Sequence, residues 1–100
     1  MVPDRFVELV ERQLDLFEEE HAGLIADVEA ALTAYDRASR DEAEERYGDY
    51  LDLVETGTDE LVELRENYAA TLDPEAALDY EAVFNDLARR RLPRFGLELD

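Results

Sequence analysis

Read in alternating steps of three and four residues, the first third of the chain carries a seam at Val7, Val10, Leu14, Phe17, His21, Leu24, Val28, Ala31 and Tyr35. That spacing puts one stripe of side chains on one side of a helix, with His21 its single strongly polar member. A second seam runs through Ala43, Tyr47, Tyr50, Val54, Gly57, Leu61, Leu64, Tyr68 and Thr71, and a shorter third through Ala77, Tyr80, Phe84, Leu87 and Arg91. The pattern predicts three helices, over about 4–38, 40–72 and 74–91, followed by a tail over 92–100.

The breakers agree with these bounds. Asp4 follows Pro3, and the run "SRDE" at 39–42 reads as a capping box, in which Ser39 and Glu42 would satisfy each other's free amides. In "LDPEA" Asp73 takes an N-cap position and Pro74 the first helical position, where its missing N–H costs nothing. Pro93 and Gly96 are expected to end the last helix.

A turn at 38–40 would fold the first two segments into an antiparallel hairpin. Tyr35 would then lie level with Ala43, Ala31 with Tyr47, Val28 with Tyr50, His21 with Gly57, and Phe17 with Leu61, so that large often faces small. The third helix is about half as long as the first two. Second stripes, Val2, Phe6, Leu9 and Leu16 on the first helix and Val62, Ala69 and Leu72 on the second, offer it a place at the open end. The expected class is therefore all-α, an antiparallel three-helix bundle with a long first hairpin. The alternative is a four-helix bundle broken at Gly57, where "ETGTDEL" could end one helix and start another.

Composition narrows the functional classes. Asp and Glu number 28 against ten basic residues, all of them Arg, a net charge of −18. Such a surface repels phosphate backbones and anionic membranes, so neither nucleic acid nor membrane is an expected partner. There is no cysteine for a disulfide or thiolate site. Charge interrupts every apolar run of "MVPDRFVELVERQ", and a cytosolic location is the default expectation. Abundant carboxylates with no lysine resemble the cytosolic proteins of salt-accumulating haloarchaea, a likeness of composition over the whole chain. A GC-rich actinobacterium is the other source considered, with less acid excess expected there.

Candidate chemistry is sparse. Within "RQLDLFEEEH" the residues Gln13 to Phe17 resemble the short motif by which bacterial proteins dock on the replicative sliding clamp. Leu14 and Phe17 fall on the helical seam, however, and exposing them would empty a core layer, so the core reading is preferred. Glu18 and His21 form Glu-x-x-His, which resembles half of a ferritin-like di-iron ligand set and would need a dimer to complete it. The competing reading is a histidine ring filling the space beside Gly57. The tyrosines Tyr35, Tyr47, Tyr50 and Tyr68 read as seam residues whose hydroxyls reach water. Arg89, Arg90, Arg91 and Arg94 crowd a helix C-terminus, where cations offset the macrodipole, and with Phe95 they belong to a tail that either covers the bundle or docks on a partner.

The functional expectation is a non-enzymatic helical interaction or assembly module in a high-salt cytosol, forming a homodimer. Ile25, Leu32 and Leu51, beyond the reach of the third helix, are its expected interface. Two alternatives stand beside it: a metal-carboxylate bundle using Glu18 and His21, and an acidic partner of a basic protein. No cofactor is expected.

Overall fold

The computed structural model describes residues 5–96 and 99, and among them it is all-helical. Five helices follow one another: α1 (Val7–Glu20), α2 (Ala22–Asp36), α3 (Ala43–Ala69), α4 (Pro74–Arg91) and α5 (Pro93–Gly96). The expected start at Asp4 lies outside the described residues. None of these helices is long and apolar enough to cross a membrane. The molecule measures 51 × 23 × 22 Å with a radius of gyration of 15.5 Å, against about 13 Å for a compact chain of this length.

The expected single helix over 4–38 is interrupted, and the break lies at His21, not at Gly57. His21 has φ −114° and ψ 25°, outside the helical region. Its backbone N–H and its ring Nδ1 both meet the Phe17 carbonyl, at 2.9 and 3.1 Å. A side chain competing for a helical carbonyl, with Gly23 two residues on to weaken the following turn, accounts for the kink. On the facing arm of the hairpin α3 runs unbroken through Gly57 for 27 residues, so the alternative of a four-helix bundle broken at Gly57 is corrected: the additional break lies in the first helix, at His21. The capping box at 39–42 does not form. Glu42 makes no side-chain cap, and the Ser39 carbonyl, not its hydroxyl, accepts from the Glu42 and Ala43 amides at 3.0 and 2.9 Å. The connection is therefore longer than expected and α3 begins at Ala43. Asp73 caps α4 as its sequence implies, its Oδ1 accepting from the Ala76 amide at 2.9 Å, with Pro74 behind it.

The longer connection moves the register. The Tyr35 ring meets Tyr47, with centroids 5.1 Å apart, and His21 Nε2 lies 3.7 Å from Glu60. Both partners sit about one turn beyond the expected Ala43 and Gly57. Pairing is tight only in the tip, where α2 lies along α3; below the kink α1 packs chiefly on α4, and α4 in turn on α3.

Helix α4 is inserted between its neighbours and buries more of itself than the seam implied. Tyr80 and Phe84 are fully enclosed, and so are Val83 and Ala88, which lie off that seam; Ala76 is buried too. Tyr80, Val83, Phe84 and Ala88 join Val10, Leu14 and Phe17 of α1 and Leu61 and Ala69 of α3 in one cluster. Leu14 and Phe17 are thus core residues, as the seam requires. Pro93 does not simply end the chain's helices: it opens α5, which turns back so that Phe95 is buried against α3. A Cβ placed on Gly57 would lie 2.6 Å from two Phe95 ring atoms. Glycine is required there by the approach of the ring and not by the backbone, which is ordinary helix.

Two stability predictions follow from this core. Gly57→Ala should destabilise the protein by about 1–3 kcal/mol through overpacking against Phe95. In a Phe95→Ala background the same change should stabilise by about 0.5–1 kcal/mol, the helix propensity of alanine then acting alone. Urea unfolding of the four proteins gives the reversal of sign; a Gly57→Ala effect identical in both backgrounds would refute the contact. The second concerns Tyr80, whose hydroxyl donates to Gln13 Oε1 at 2.8 Å. Burial pushes its phenol up from the usual 10 to about 12, the Gln13 bond acting in the opposite direction. A folded value above the unfolded one stabilises fully below pH 10 and is lost as pH rises towards 12, about 2–3 kcal/mol in all. Tyr80→Phe should cost about 1 kcal/mol at pH 8 and should lack that alkaline loss.

Candidate functional site

The surface chemistry is organised by where the ten arginines go. Arg91, at the C-terminus of α4, reaches across to α1: one amine donates to the Glu11 carbonyl at 3.1 Å and the other to Asp15 and Glu18, at 2.7 Å each. Glu11, Asp15 and Glu18 are four and three residues apart, so one face of α1 presents all three to a single guanidinium. Hydrogen bonding to Asp15 first, and then to Glu18, holds Arg91 more firmly in its charged form. Arg94 of α5 donates to Glu29 of α2 at 3.1 Å, and this contact likewise favours its cation. Arg89 donates to the Leu99 carbonyl, and Arg90 lies 3.3 Å from Asp86.

The candidate tail residues are therefore placed on the protein itself. Phe95 packs edge-on to Phe17, with centroids 6.4 Å apart, and its carbonyl accepts from Thr58 at 3.3 Å. Of the two roles open to the tail, covering the fold is the one this arrangement serves.

The Glu-x-x-His pair does not converge. Glu18 is turned to Arg91, whereas His21 stacks on Phe17 at 4.2 Å and faces Glu60 on the other side of α1. Among the described residues no group of three or more His, Cys, Asp or Glu is arranged to hold a metal ion. The space expected for the His21 ring beside Gly57 is filled by Phe95 instead, because the kink carries His21 a turn away.

The expected interface residues are not equivalent. Ile25 packs partly on the core and, with Val28 and Glu29, lines a groove of about 260 Å³ against α5. Leu32 is half-buried. Leu51 is 44% exposed, as is Tyr47 one turn before it, and Leu51 borders a shallow groove of about 330 Å³ with Val54 and Thr58. Tyr35, Tyr47 and Tyr50 form a ladder along the tip, with successive centroids 5.1 and 6.2 Å apart. Tyr68 instead packs on Tyr80 at 4.8 Å.

One feature escapes the periodicity. Leu16, assigned by its spacing from Leu9 to the stripe facing α4, is 52% exposed. It lies on the opposite side of α1, in a groove of about 260 Å³ between α1 and α3. Phe17 and Leu64 complete the apolar floor; Glu20, Glu60 and Glu63 stand along the edges, and Gln13 and Asn67 close one end. The signal available in the sequence was the run Gln13, Leu16, Glu20 beside the core stripe, but only the insertion of α4 decides which side of α1 remains open. Against this geometry, no family model, no curated protein and no solved structure matches the chain.

Proposed function

We propose that the protein is a non-enzymatic helical interaction module of a salt-rich cytosol, pairing with a second copy of itself through the tip formed by α2 and the first half of α3. The observation that carries this reading is the apolar surface left beyond α5. Val28 and Val54 are the only residues of the tip that are buried, while Leu51 and Tyr47 remain nearly half exposed and Leu32 half-buried. Two such tips laid together make a four-helix layer, the commonest closed solution for a half-covered helical pair. An interface of roughly 1,200 Å² or more would make it specific. The arrangement of the carboxylates supports the same reading over the metal-carboxylate one, because the ion pair with Arg91 already engages Glu18.

Sedimentation in molar potassium chloride should give twice the 11.5 kDa chain mass. Leu32→Glu with Leu51→Glu should give a monomer whose helix content is unchanged. Ile25 is a poorer choice for this test, since a carboxylate there would disturb the seat of Phe95. A monomeric unmodified chain at micromolar concentration would overturn the pairing. The charge carries a separate expectation: with 28 carboxylates against ten arginines, the melting temperature should rise substantially from dilute buffer to molar salt as self-repulsion is screened. A flat response would remove the salt-rich setting.

A further inference from the structure

The groove between α1 and α3 combines two features that a free surface does not explain. Its floor exposes more than half of Leu16, and its edges bring three carboxylates together with no arginine among the lining residues. Glu60 faces only the His21 ring, and Glu20 and Glu63 have no cationic partner among the described residues. Of the arginines near the groove, Arg65 is engaged with Asn85 and Glu66, Arg91 with Asp15 and Glu18, and Arg94 with Glu29, while Arg12 stands beside Glu8, Glu11 and Asp15. The side of α1 facing α4 is partly neutralised by Arg91 from within the chain, and the groove side is left acidic.

We infer that this groove docks a basic amphipathic helix of a partner protein, with apolar side chains over Leu16 and Leu64 and Lys or Arg against Glu20, Glu60 and Glu63. A helix fits because the groove runs between two helices whose other side is already filled by α4, so that a fourth would complete the layer. From Gln13 to His21 the floor follows α1 for roughly 12 Å, about two turns. That length takes anchors at i, i+3 and i+7. Charge selects the occupant. A nucleic acid would be repelled. A second copy is a poor match, since the basic last turn of its α4 is held by Asp15, Glu18, Asp86 and the Leu99 carbonyl. The inference rests on the reading of this chain as an interaction module but not on pairing through the tip, which uses different residues.

The probe is a synthetic amphipathic peptide with leucines at i, i+3 and i+7 and Lys and Arg on its flanks, beside a counterpart carrying Glu in their place. Each is titrated calorimetrically into the full chain bearing Leu32→Glu and Leu51→Glu, which takes tip pairing out of the measurement; the unmodified chain serves if that variant is unstable. The basic peptide should bind with a dissociation constant on the order of 10 µM and more weakly as salt rises. Glu60→Gln with Glu63→Gln, and separately Leu16→Ala, should each weaken it about tenfold or more, whereas Glu44→Gln with Glu45→Gln on the tip should leave it unchanged. These are exposed or half-exposed positions, so folding is not at stake. Equal binding of the acidic peptide, unchanged binding by the groove variants, or amide protection outside 13–21 and 60–67 would overturn the inference. So would an unmodified dimer that dissociates on Leu16→Ala without peptide, which assigns the groove to a second copy. Loss of peptide binding with the dimer intact sinks the groove alone, and a monomer that still binds the peptide sinks only the tip.

Discussion

The seat of the Phe95 ring against the bare backbone of Gly57 is the contact on which the arrangement of this protein turns. It brings α5 across the hairpin beside the point where the first helix bends, with Phe17 on one side and Thr58 holding the Phe95 carbonyl on the other. Gly96 makes the turn back possible, since a Cβ there would lie 2.5 Å from the Ala88 carbonyl oxygen. Once Phe95 is seated, Arg94 falls within reach of Glu29 and Arg91 within reach of α1. The same contact divides the molecule. Below it, four helical segments share one core; above it, α2 and α3 continue as a pair.

That division follows from the unequal lengths of the helices. Eighteen residues of α4 cannot cover both halves of a hairpin whose unbroken arm, α3, has 27. The short helix settles at the base, where its two-sided apolar face is enclosed by both neighbours and forces them apart. Burying Tyr80, Val83 and Phe84 together is favourable by several kcal/mol on area grounds. The cost of the same packing is an opening between α1 and α3 on the far side. A groove with an apolar floor is thus a geometric consequence of filling the core from one direction, and its acidic edges follow from spending the C-terminal arginines on the other.

The charge of the chain acts differently at these two places. Around Arg91 and Arg94 carboxylates are matched at 2.7–3.1 Å, close enough for direct hydrogen bonds that bulk salt screens only partly. Along the tip and the groove the pairs are longer and exposed, Arg46 with Glu42 and Asp49 at 4.0 and 3.9 Å and His21 with Glu60 at 3.7 Å, so the repulsion among the remaining carboxylates depends on ionic strength. A chain built this way keeps its fold through short contacts and leaves its open surfaces responsive to salt.

The sequence by itself determined the helical class, the core stripes and the start of α4, because each depends on near neighbours along the chain. Val10, Leu14 and Phe17 are buried since a helix of that spacing has one apolar side, and Asp73 caps α4 because its carboxylate needs to reach only three residues on. Partners distant in sequence were legible only as types. Gly57 marked a hole in α3, but whether His21, a helix break or Phe95 would occupy it depended on a kink and on a four-residue helix that no periodicity announces. The side of α1 that stays open, and with it the exposure of Leu16 beside Glu20, Glu60 and Glu63, was decided by tertiary structure alone, because a stripe of side chains fixes which face is buried but not how far the helices on either side of it stand apart.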